Sequence, residues 1–350
     1  MLSITVDLDL PARERWLHPG REIAPLVRGL SQSFLQIAAD FLPPLFQSLL
    51  TKEKPSFIVD PICRLISKEL TEESIGLSEA TGVPSTLLVL SNCIYDFIQL
   101  CSAAVYHDSR NRPVMLRYMD WEVPEDIAEY TIMVDYVRSG IPVYSSLGFA
   151  GFLGVVTAFS SHWAFAMNHA PSGHLKEAHP LKKAGVLSAT PSTYAMRKIC
   201  DRVESFTQLE RALIDVKTMT PFMALICGAE SGEATRIERP TKQHSTCTKI
   251  TDGESLGLSN HYIHRKHHDL NGVMDWEDDE GKKWSMDSTR ERLCKVEELA
   301  ESFRTMESLP SLSLLKSNPI FWDATVHTAV MRPATGDFYW ENHPKIHLSQ

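Results

Sequence analysis

A cysteine stands where the sequence changes from helical to β-strand patterning. Cys101 begins a run of strand-forming residues, and turn-forming residues at Arg110 and Asn111 send the chain back along a second strand. A turn centred between those two residues places Asp120 opposite Cys101 in the antiparallel pair. A thiol beside a carboxylate can act as an activated nucleophile. On spacing alone, however, a cysteine beside an aspartate on a strand is more often structural than catalytic.

An arginine lies three residues before Asp120 on the second predicted strand. Alternation along a strand directs Arg117 and Asp120 to opposite faces unless a β-bulge intervenes. The spacing alone therefore does not bring this guanidinium to the predicted pair.

Two blocks of different patterning flank Cys101. Residues 17–100 show apolar positions three and four apart, which is typical of amphipathic helices. Residues 101–168 are rich in Val, Tyr, Phe, Ile and Thr between turn signals, which predicts strands. The predicted strands are 102–108, 114–121, 130–137, 143–147, 151–160 and 163–168.

The second half of the chain alternates between the two patterns. Helical spacing returns at 192–217 and 288–316, and hairpins are predicted across Ser231-Gly232 and Thr335-Gly336. Residues 261–283 are polar and predict a long exposed loop. This order of elements favours an α+β protein in which helices cover the faces of antiparallel sheets.

Composition excludes several classes of protein. With 43% hydrophobic and 23% charged residues, the chain is typical of a globular protein and not of a disordered one. Its net charge of -9 argues against nucleic acid as the main partner. No apolar run reaches the length of a membrane span, and the N-terminus lacks the layout of a signal peptide. These features, with the absence of an N-glycosylation sequon, favour a cytoplasmic protein.

Cysteine and histidine spacing gives no sign of a metal site. No two of the seven cysteines form a C-x-x-C motif, which argues against zinc-ribbon and thioredoxin-like sites. A cluster of four histidines is interrupted by basic residues, so we interpret it as a solvated loop rather than a set of metal ligands. The four are His261, His264, His267 and His268.

Several motifs occur together and in order along the chain. A helix end at Asn92-x-x-Tyr95-Asp leads into Cys101-Ser, and Arg117 and Asp120 follow at fixed intervals. Further motifs are Thr5-Val-Asp-Leu-Asp-Leu-Pro11, Thr220-Pro-Phe, Gly228-Ala-Glu-Ser-Gly-Glu233, Ser259-Asn260-His-Tyr262 and Thr325-Val-His-Thr. Taken together, they resemble the acid ceramidase and N-acylethanolamine-hydrolysing acid amidase family.

This resemblance implies an N-terminal nucleophile (Ntn) hydrolase with a four-layer αββα sandwich of antiparallel sheets. It implies self-cleavage of the Leu100–Cys101 bond, which divides the chain into a helical segment, 1–100, and a catalytic domain, 101–350, that stay associated. An α-amine has a reference pKa of about 7.7–8.0, so the amine freed on Cys101 could accept the proton of its own thiol. One residue could then serve as both nucleophile and base.

The resemblance also implies roles for residues around the nucleophile. Asp120 would hold the amine and the thiol, and Arg117 would orient that carboxylate through a charge-assisted pair. Asn260 would donate its amide to the oxyanion of the tetrahedral intermediate, the alternative being a simple turn residue. Arg290 matches the later arginine of the family, with Arg292 as the other candidate.

The sequence departs from the family pattern in two places. Leu116 and Tyr118 replace the Gly and Asn of a Gly-Arg-Asn-x-Asp motif. His169 follows Asn168 where the family has Glu, so the acidic residue that some members place near the site is missing. Both changes bear on substrate identity more than on the core chemistry.

The implied activity is hydrolysis of a fatty N-acyl amide, of the ceramide or N-acylethanolamine class, through a Cys101 thioester and without metal or cofactor. An N-acyltransferase that uses the same acyl-enzyme and a non-catalytic lipid-binding relative are the alternatives. The family also implies a lysosomal or secretory lumen, in contrast to the cytoplasmic features above. Four apolar residues could form core or a rim that contacts a membrane or micelle surface. These are Phe41, Leu42, Leu45 and Phe46.

Overall fold

The computed structural model describes residues 2–41, 66–94, 100–121, 126–170, 190–240, 243–251, 253–271, 276–277, 283–284 and 286–345. The side chains of Phe41, Leu42, Leu45 and Phe46 lie outside the described residues. Among the helices of these ranges, none has both the length and the apolar character needed to cross a bilayer.

The secondary structure consists of α-helices, strands and short 3-10 helices. The α-helices are α1 (Leu17–Glu22), α2 (Ala24–Phe41), α3 (Lys68–Thr81), α4 (Ser85–Ile94), α5 (Ser192–Cys200), α6 (Phe206–Asp215) and α7 (Met286–Phe303). The first strands are β1 (Ser3–Asp7), β2 (Leu100–His107), β3 (Pro113–Asp120), β4 (Thr131–Arg138), β5 (Ile141–Phe149), β6 (Thr157–Phe159) and β7 (Trp163–His169). The later strands are β8 (Phe222–Gly228), β9 (Ala234–Arg239), β10 (Thr246–Lys249), β11 (Leu256–Leu258), β12 (Trp276–Glu277), β13 (Lys283–Trp284), β14 (Thr325–Arg332) and β15 (Asp337–Asn342). The 3-10 helices are Ile127–Tyr130, Arg265–Leu270, Leu312–Leu315 and Pro333–Thr335.

Two large sheets pack face to face. One has eight strands in the order β1-β4-β5-β6-β7-β8-β9-β10, and the other has five in the order β11-β2-β3-β14-β15. Apolar side chains from both, among them Ala103, Met115, Ala166 and Leu225, form the layer between the sheets. Alternate residues of β2 and β3 face the other way and pack against α7.

The remaining helices cover the outer face of the eight-stranded sheet. Side chains of α2, α3, α4, α5 and α6 join those of the outer sheet face in one large apolar cluster. The layers therefore run helix, sheet, sheet, helix, and the predicted αββα sandwich is confirmed. Among the strands of the described residues, β1 runs parallel to β4 and the other neighbouring strands pair antiparallel.

Helix ends follow from local sequence signals. The hydroxyl of Ser67 accepts a hydrogen bond from the backbone N–H of Leu70 at the start of α3, and Gly82 ends the helix in the left-handed region with φ 74°. Ser205 caps α6 in the same way. These signals explain why the segment predicted as one helix over 192–217 divides into α5 and α6.

Buried polar contacts join the N-terminal segment to the rest of the chain. The carboxylate of Glu73, on α3, is fully buried and accepts hydrogen bonds from Arg15, Trp16 and Arg197. Arg197 lies on α5, beyond Cys101 in sequence. The amide oxygen of Asn92 likewise accepts hydrogen bonds from the backbone of residues 153 and 154.

Two sequence predictions differ from the structure. Only Thr157–Phe159 forms a strand within the predicted range 151–160, because Gly151 adopts φ 85° and turns the chain first. The predicted exposed loop over 261–283 contains a 3-10 helix, and His267 is buried in it against Glu238. A buried carboxylate partner explains why this histidine is not solvated.

Candidate active site

The register of the β2–β3 hairpin differs by one residue from the sequence prediction. Cys101 pairs with Met119, and Asp120 pairs with Leu100. The turn has three residues instead of two, because Asn111 adopts φ 59° and the Asp108 carboxylate accepts hydrogen bonds from the backbone N–H groups of Arg110 and Arg112. The prediction that Asp120 lies directly opposite Cys101 is therefore wrong.

This register sends the two side chains to different faces of the five-stranded sheet. Cys101 and Met119 point toward the eight-stranded sheet, as does Arg117. Asp120 points toward α7. The two residues are still linked at the end of the sheet, because Arg292 Nη1 contacts both the Cys101 carbonyl oxygen, at 3.3 Å, and the Asp120 carboxylate, at 3.5 Å.

The backbone of Cys101 is held from both sides. Its N–H donates to Asn260 Oδ1 at 2.7 Å. Its carbonyl oxygen accepts hydrogen bonds from Asn168 Nδ2 at 2.9 Å and from Arg292 Nη1 at 3.3 Å. The peptide nitrogen that the sequence resemblance marks for release is thus fixed by an amide side chain.

The Cys101 thiol is fully buried, with its Sγ 3.4 Å from the Sδ of Met119. Burial raises the pKa of the thiol, and the Asp120 carboxylate adds to this effect. The positive charges of Arg117 and Arg292 act in the opposite direction. In the intact chain the thiol is therefore protonated at neutral pH and needs a proton acceptor before it can attack.

Asp120 is a fully buried carboxylate with three kinds of partner. Thr325 Oγ1 donates to its Oδ1 at 2.9 Å, and Arg292 Nη1 lies 3.5 Å from its Oδ2. Burial raises the pKa of this carboxyl, although Arg292, Thr325 and Trp322 favour its charged form. Asp120 is therefore able to exchange a proton nearer to neutral pH than an exposed aspartate.

Arg292, and not Arg290, reaches this cluster. Arg292 is buried on the side of α7 that packs against β2, and its Nη2 also donates to Asn260 Oδ1 at 3.2 Å. The Arg290 side chain is 60% exposed and pairs with Asp287. Two positions along a helix turn a side chain through more than half a circle, so only one of these arginines can face the sheet. The structure thus places Arg292, the other candidate of the motif, next to Asn260 and Asp120, and places Arg290 at the surface.

Arg117 contacts Asn168 rather than Asp120. It donates hydrogen bonds to Asn168 Oδ1, to the carbonyl of Met167 at 2.8 Å and to Thr157 Oγ1 at 3.2 Å. None of its hydrogen bonds in the described structure reaches Asp120. The predicted charge-assisted pair is replaced by a chain of contacts from Arg117 through Asn168 to the Cys101 carbonyl.

The chain is similar to characterised proteins over much of its length. It is 24% identical to acid ceramidase of Mus musculus over 260 residues, an alignment that spans 68% of this chain and 64% of the mouse protein. It is 22% identical to acid ceramidase of Balaenoptera acutorostrata scammoni, over 95% of this chain and 84% of that protein. The alignment thus covers just under two thirds of the length of the mouse relative. No family model matches the chain.

A solved structure shares the fold. The Caenorhabditis elegans N-acylethanolamine-hydrolyzing acid amidase ortholog superimposes with a TM-score of 0.56 at 21% identity, covering 70% of this chain and 100% of that chain. This chain is thus similar in sequence to acid ceramidases and in fold to an N-acylethanolamine-hydrolyzing acid amidase. The family resemblance that the motifs indicated is confirmed, and so is the Ntn-hydrolase fold class.

Asn168 is the residue of this site that the sequence did not predict. Its Nδ2 donates to the carbonyls of Cys101 and Ser259, both at 2.9 Å, so it ties β7 to the two chain segments that carry Cys101 and Asn260. A signal for it was present, because Asn168 opens the motif that departs from the family at the next residue. That next residue, His169, accepts a hydrogen bond from Asn260 Nδ2 at its backbone carbonyl.

The site has the components of thiol-dependent acyl transfer. It contains a thiol, a buried carboxyl with a raised pKa, an amide oxygen that accepts from the Cys101 N–H, an amide group that donates to the Cys101 carbonyl, and the buried guanidiniums of Arg117 and Arg292. No group of three or more metal-binding side chains is found in the part of the chain that the structure describes.

Proposed function

We propose that this chain is an amidohydrolase that cleaves fatty N-acyl amides through a thioester on Cys101, after its own Leu100–Cys101 bond has been cleaved. The observation that carries the proposal is the hydrogen bond from the Cys101 N–H to Asn260, with Arg292 bound to the same oxygen. The similarity to acid ceramidases and to an N-acylethanolamine-hydrolyzing acid amidase supports the amide class of substrate.

Maturation requires an acyl shift followed by hydrolysis. The Cys101 sulfur attacks the Leu100 carbonyl carbon, the peptide C–N bond breaks, and the thiol proton passes to the departing nitrogen, which becomes the α-amine. Asp120 supports this proton transfer from the α7 side of the strand, because its carboxyl has a raised pKa and Arg292 contacts both this carboxylate and the Cys101 carbonyl oxygen. Water then hydrolyses the thioester, which frees the thiol and leaves a carboxylate on Leu100.

The same atoms then serve each catalytic cycle. The α-amine takes the thiol proton, the thiolate attacks the substrate carbonyl, and the protonated amine donates to the departing amine of the substrate. Water hydrolyses the acyl-thioester, so that one amide and one water give a fatty acid and an amine. Asn260 Oδ1 keeps its acceptor role toward the new amine, and its NH₂ group supplies the donor for the oxyanion.

We assign the acyl chain of the substrate to the side of the site where aromatic side chains pack together. Trp121 lies next to Phe149, with ring centroids 5.3 Å apart, and Phe34 of α2 packs on Trp121 at 6.1 Å. Burial of each methylene contributes about 0.8 kcal/mol, so activity is expected to rise with chain length until the apolar region is filled. Short-chain amides that are cleaved as fast as palmitoyl amides would contradict the lipid-amide assignment.

The test combines mass spectrometry with hydrolysis. The purified chain, incubated across pH 4 to 8, should convert into fragments 1–100 and 101–350 whose summed mass exceeds that of the intact chain by one water. The converted protein should hydrolyse fluorogenic acyl amides, with kcat/KM rising along the acyl series. Cys101→Ala should remain one intact, inactive chain with a normal circular dichroism spectrum, because the change removes little volume. Turnover by Cys101→Ala above background would overturn the proposal.

A further inference from the structure

A buried imidazole lies on the same side of the five-stranded sheet as the Cys101 thiol. His327 on β14 pairs with Met119 on β3, and Met119 pairs with Cys101 on β2. Residues directly opposite one another in antiparallel pairs point to the same face. The three side chains therefore form one row across neighbouring strands, facing the eight-stranded sheet.

Neither ring nitrogen of His327 has a hydrogen-bond partner among the described residues, and the side chain is fully buried. Burial lowers the pKa of this imidazole well below its ordinary value, and Arg117 and His343 add to the effect. The ring is therefore neutral near pH 7, with one N–H donor and one acceptor nitrogen. Buried polar groups without partners are rare, because each has lost its hydrogen bonds to water without forming new ones in the protein.

The surroundings of His327 are aromatic. Its ring centroid lies 6.3 Å from that of Phe149, which in turn packs against Trp121 and Phe152. Thr131 is opposite Phe149 in the β4–β5 pair, and its buried hydroxyl also has no partner among the described residues. A binding surface that contacted only a plain hydrocarbon chain would need neither the His327 imidazole nor the Thr131 hydroxyl.

His327 is poorly placed to take part in the chemistry at sulfur. Neighbouring strands are about 4.8 Å apart, so the Cα atoms of Cys101 and His327 are separated by roughly 10 Å. Met119 stands between them, and a thioether cannot relay a proton. A substrate group that reached His327 would lie several bonds away from the carbonyl carbon attacked by Cys101.

The direction from Cys101 to His327 is the direction assigned to the acyl chain. Asn260 follows β11 on one side of β2, whereas His327 and Phe149 lie on the opposite side, beyond β3. With the oxyanion directed to Asn260, the arm of the substrate that runs across β3 and β14 meets the aromatic wall and the imidazole together.

We infer that His327 binds a hydroxyl group on the acyl chain of the substrate, so that the preferred substrates are N-(hydroxyacyl) amides rather than plain fatty amides. This inference rests on the proposed function. A hydroxyl both donates and accepts, and so matches the donor and the acceptor of one neutral imidazole. The Thr131 hydroxyl, beside Phe149, offers a second contact to the same group.

The test compares matched substrates with the mature enzyme. Amides of one chain length are prepared with no hydroxyl, with a hydroxyl scanned along the first ten or so acyl carbons, or with a hydroxyl on the amine moiety. The wild type should favour at least one hydroxyacyl position over the plain chain by about tenfold in kcat/KM, the worth of one hydrogen bond to a desolvated partner. His327→Phe keeps a ring of similar size and should reduce that ratio to about one while still cleaving the plain amide.

Two further variants separate recognition from folding. His327→Gln keeps a donor and an acceptor and should retain part of the preference, which gives a readout even where His327→Phe is unstable. His343→Phe is the matched control, because that imidazole already binds Thr328 and lies outside the row. It should leave the hydroxyl preference unchanged.

The outcomes distinguish a failure of the His327 inference from a failure of the proposed function. A wild type that cleaves plain amides but has no hydroxyl preference dependent on His327 overturns the inference and leaves the proposed function standing. A preference that depends on His327 only for hydroxyls on the amine moiety also overturns it. A wild type that cleaves no acyl amide at all overturns both.

Discussion

The amide oxygen of Asn260 lies 2.7 Å from the backbone nitrogen of Cys101, the atom that the proposed cleavage turns into a free amine. Asn260 itself is fixed by Arg292 at the same oxygen and by the His169 carbonyl at its nitrogen. The surroundings of the future catalytic base are therefore assembled while the chain is still intact. Cleavage would need little rearrangement on this side of the site.

The first prediction concerns the two arginines of α7. Arg292→Met should abolish maturation and lower the free energy of unfolding by about 3 kcal/mol, because it leaves Asp120 buried without its cationic partner. Arg290→Met removes an exposed pair and should change stability by less than about 0.5 kcal/mol. Urea unfolding and intact mass measure both effects. Arg292→Lys, which keeps the charge, serves where Arg292→Met does not fold. Loss of maturation in Arg290→Met alone would reverse the assignment.

The second prediction concerns Asp120 and its hydroxyl partner. Asp120→Asn should stop maturation and hydrolysis, since an amide can neither take up a proton nor balance a charged amine. Thr325→Val keeps the carboxylate but removes a hydrogen bond that lowers the pKa of Asp120. The pKa should then rise further, so the acidic limb of the pH–rate profile should move to higher pH while the maximum rate persists. An unchanged profile in Thr325→Val would show that Asp120 does not control this limb.

Motif order and hydrophobic patterning were enough to predict the layers of this fold and most of its strands. They could not give the register of the β2–β3 hairpin, because register depends on whether Asn111 enters the left-handed region. The resulting shift of one residue sends Asp120 to the opposite face from Cys101. Alternation did correctly separate Arg117 from Asp120.

The parts of the site that arise from packing were not visible in the sequence. The choice between Arg290 and Arg292 depends on the rotation of α7 against β2, which a pattern of two arginines in one turn leaves open. Asn168 touches Cys101 only because β7 of the other sheet meets this end of β2. His327 occurs in a motif, yet its lack of partners is a property of the folded interior.

The third prediction concerns stability at acidic pH. Burial lowers the pKa of His169 from 6.5 to about 4. Between these values the unfolded chain binds more protons than the folded one, so the fold loses stability as the pH falls from 6.5 toward 4. One fully buried imidazole contributes at most about 3 kcal/mol in this window.

Urea unfolding at several pH values checks this effect. His169→Gln should make the fall in unfolding free energy shallower between pH 6.5 and 4. His18→Gln, which removes an imidazole that is 87% exposed, is the control for the loss of one histidine from the chain. Equal slopes for wild type and His169→Gln would show that this imidazole is protonated in the folded state.

The last prediction concerns the contact that would hold the two fragments together after cleavage. Glu73, in the segment before Cys101, has no exposed surface and accepts hydrogen bonds from Arg15 Nη1 and Trp16 Nε1, both at 2.8 Å. Arg197, in the segment after Cys101, is equally buried and lies 3.3 Å from the same carboxylate. Glu73→Gln would remove the buried charge that the two guanidiniums share and leave them only the more exposed carboxylates of Glu69 and Asp201, which should cost about 3 kcal/mol.

A neighbouring carboxylate provides a matched control. Glu69 also pairs with Arg15, at 2.7 Å, but its side chain is 46% exposed, so Glu69→Gln should cost less than about 1 kcal/mol. In the cleaved protein, size-exclusion chromatography in increasing urea should separate the fragments of Glu73→Gln at a lower concentration than those of Glu69→Gln or the wild type. Salt should weaken the Glu69 contact more than the buried one, because solvent screens exposed charges most. Fragments of both variants that separate at the same urea concentration would mean that the buried carboxylate does not hold the segments together.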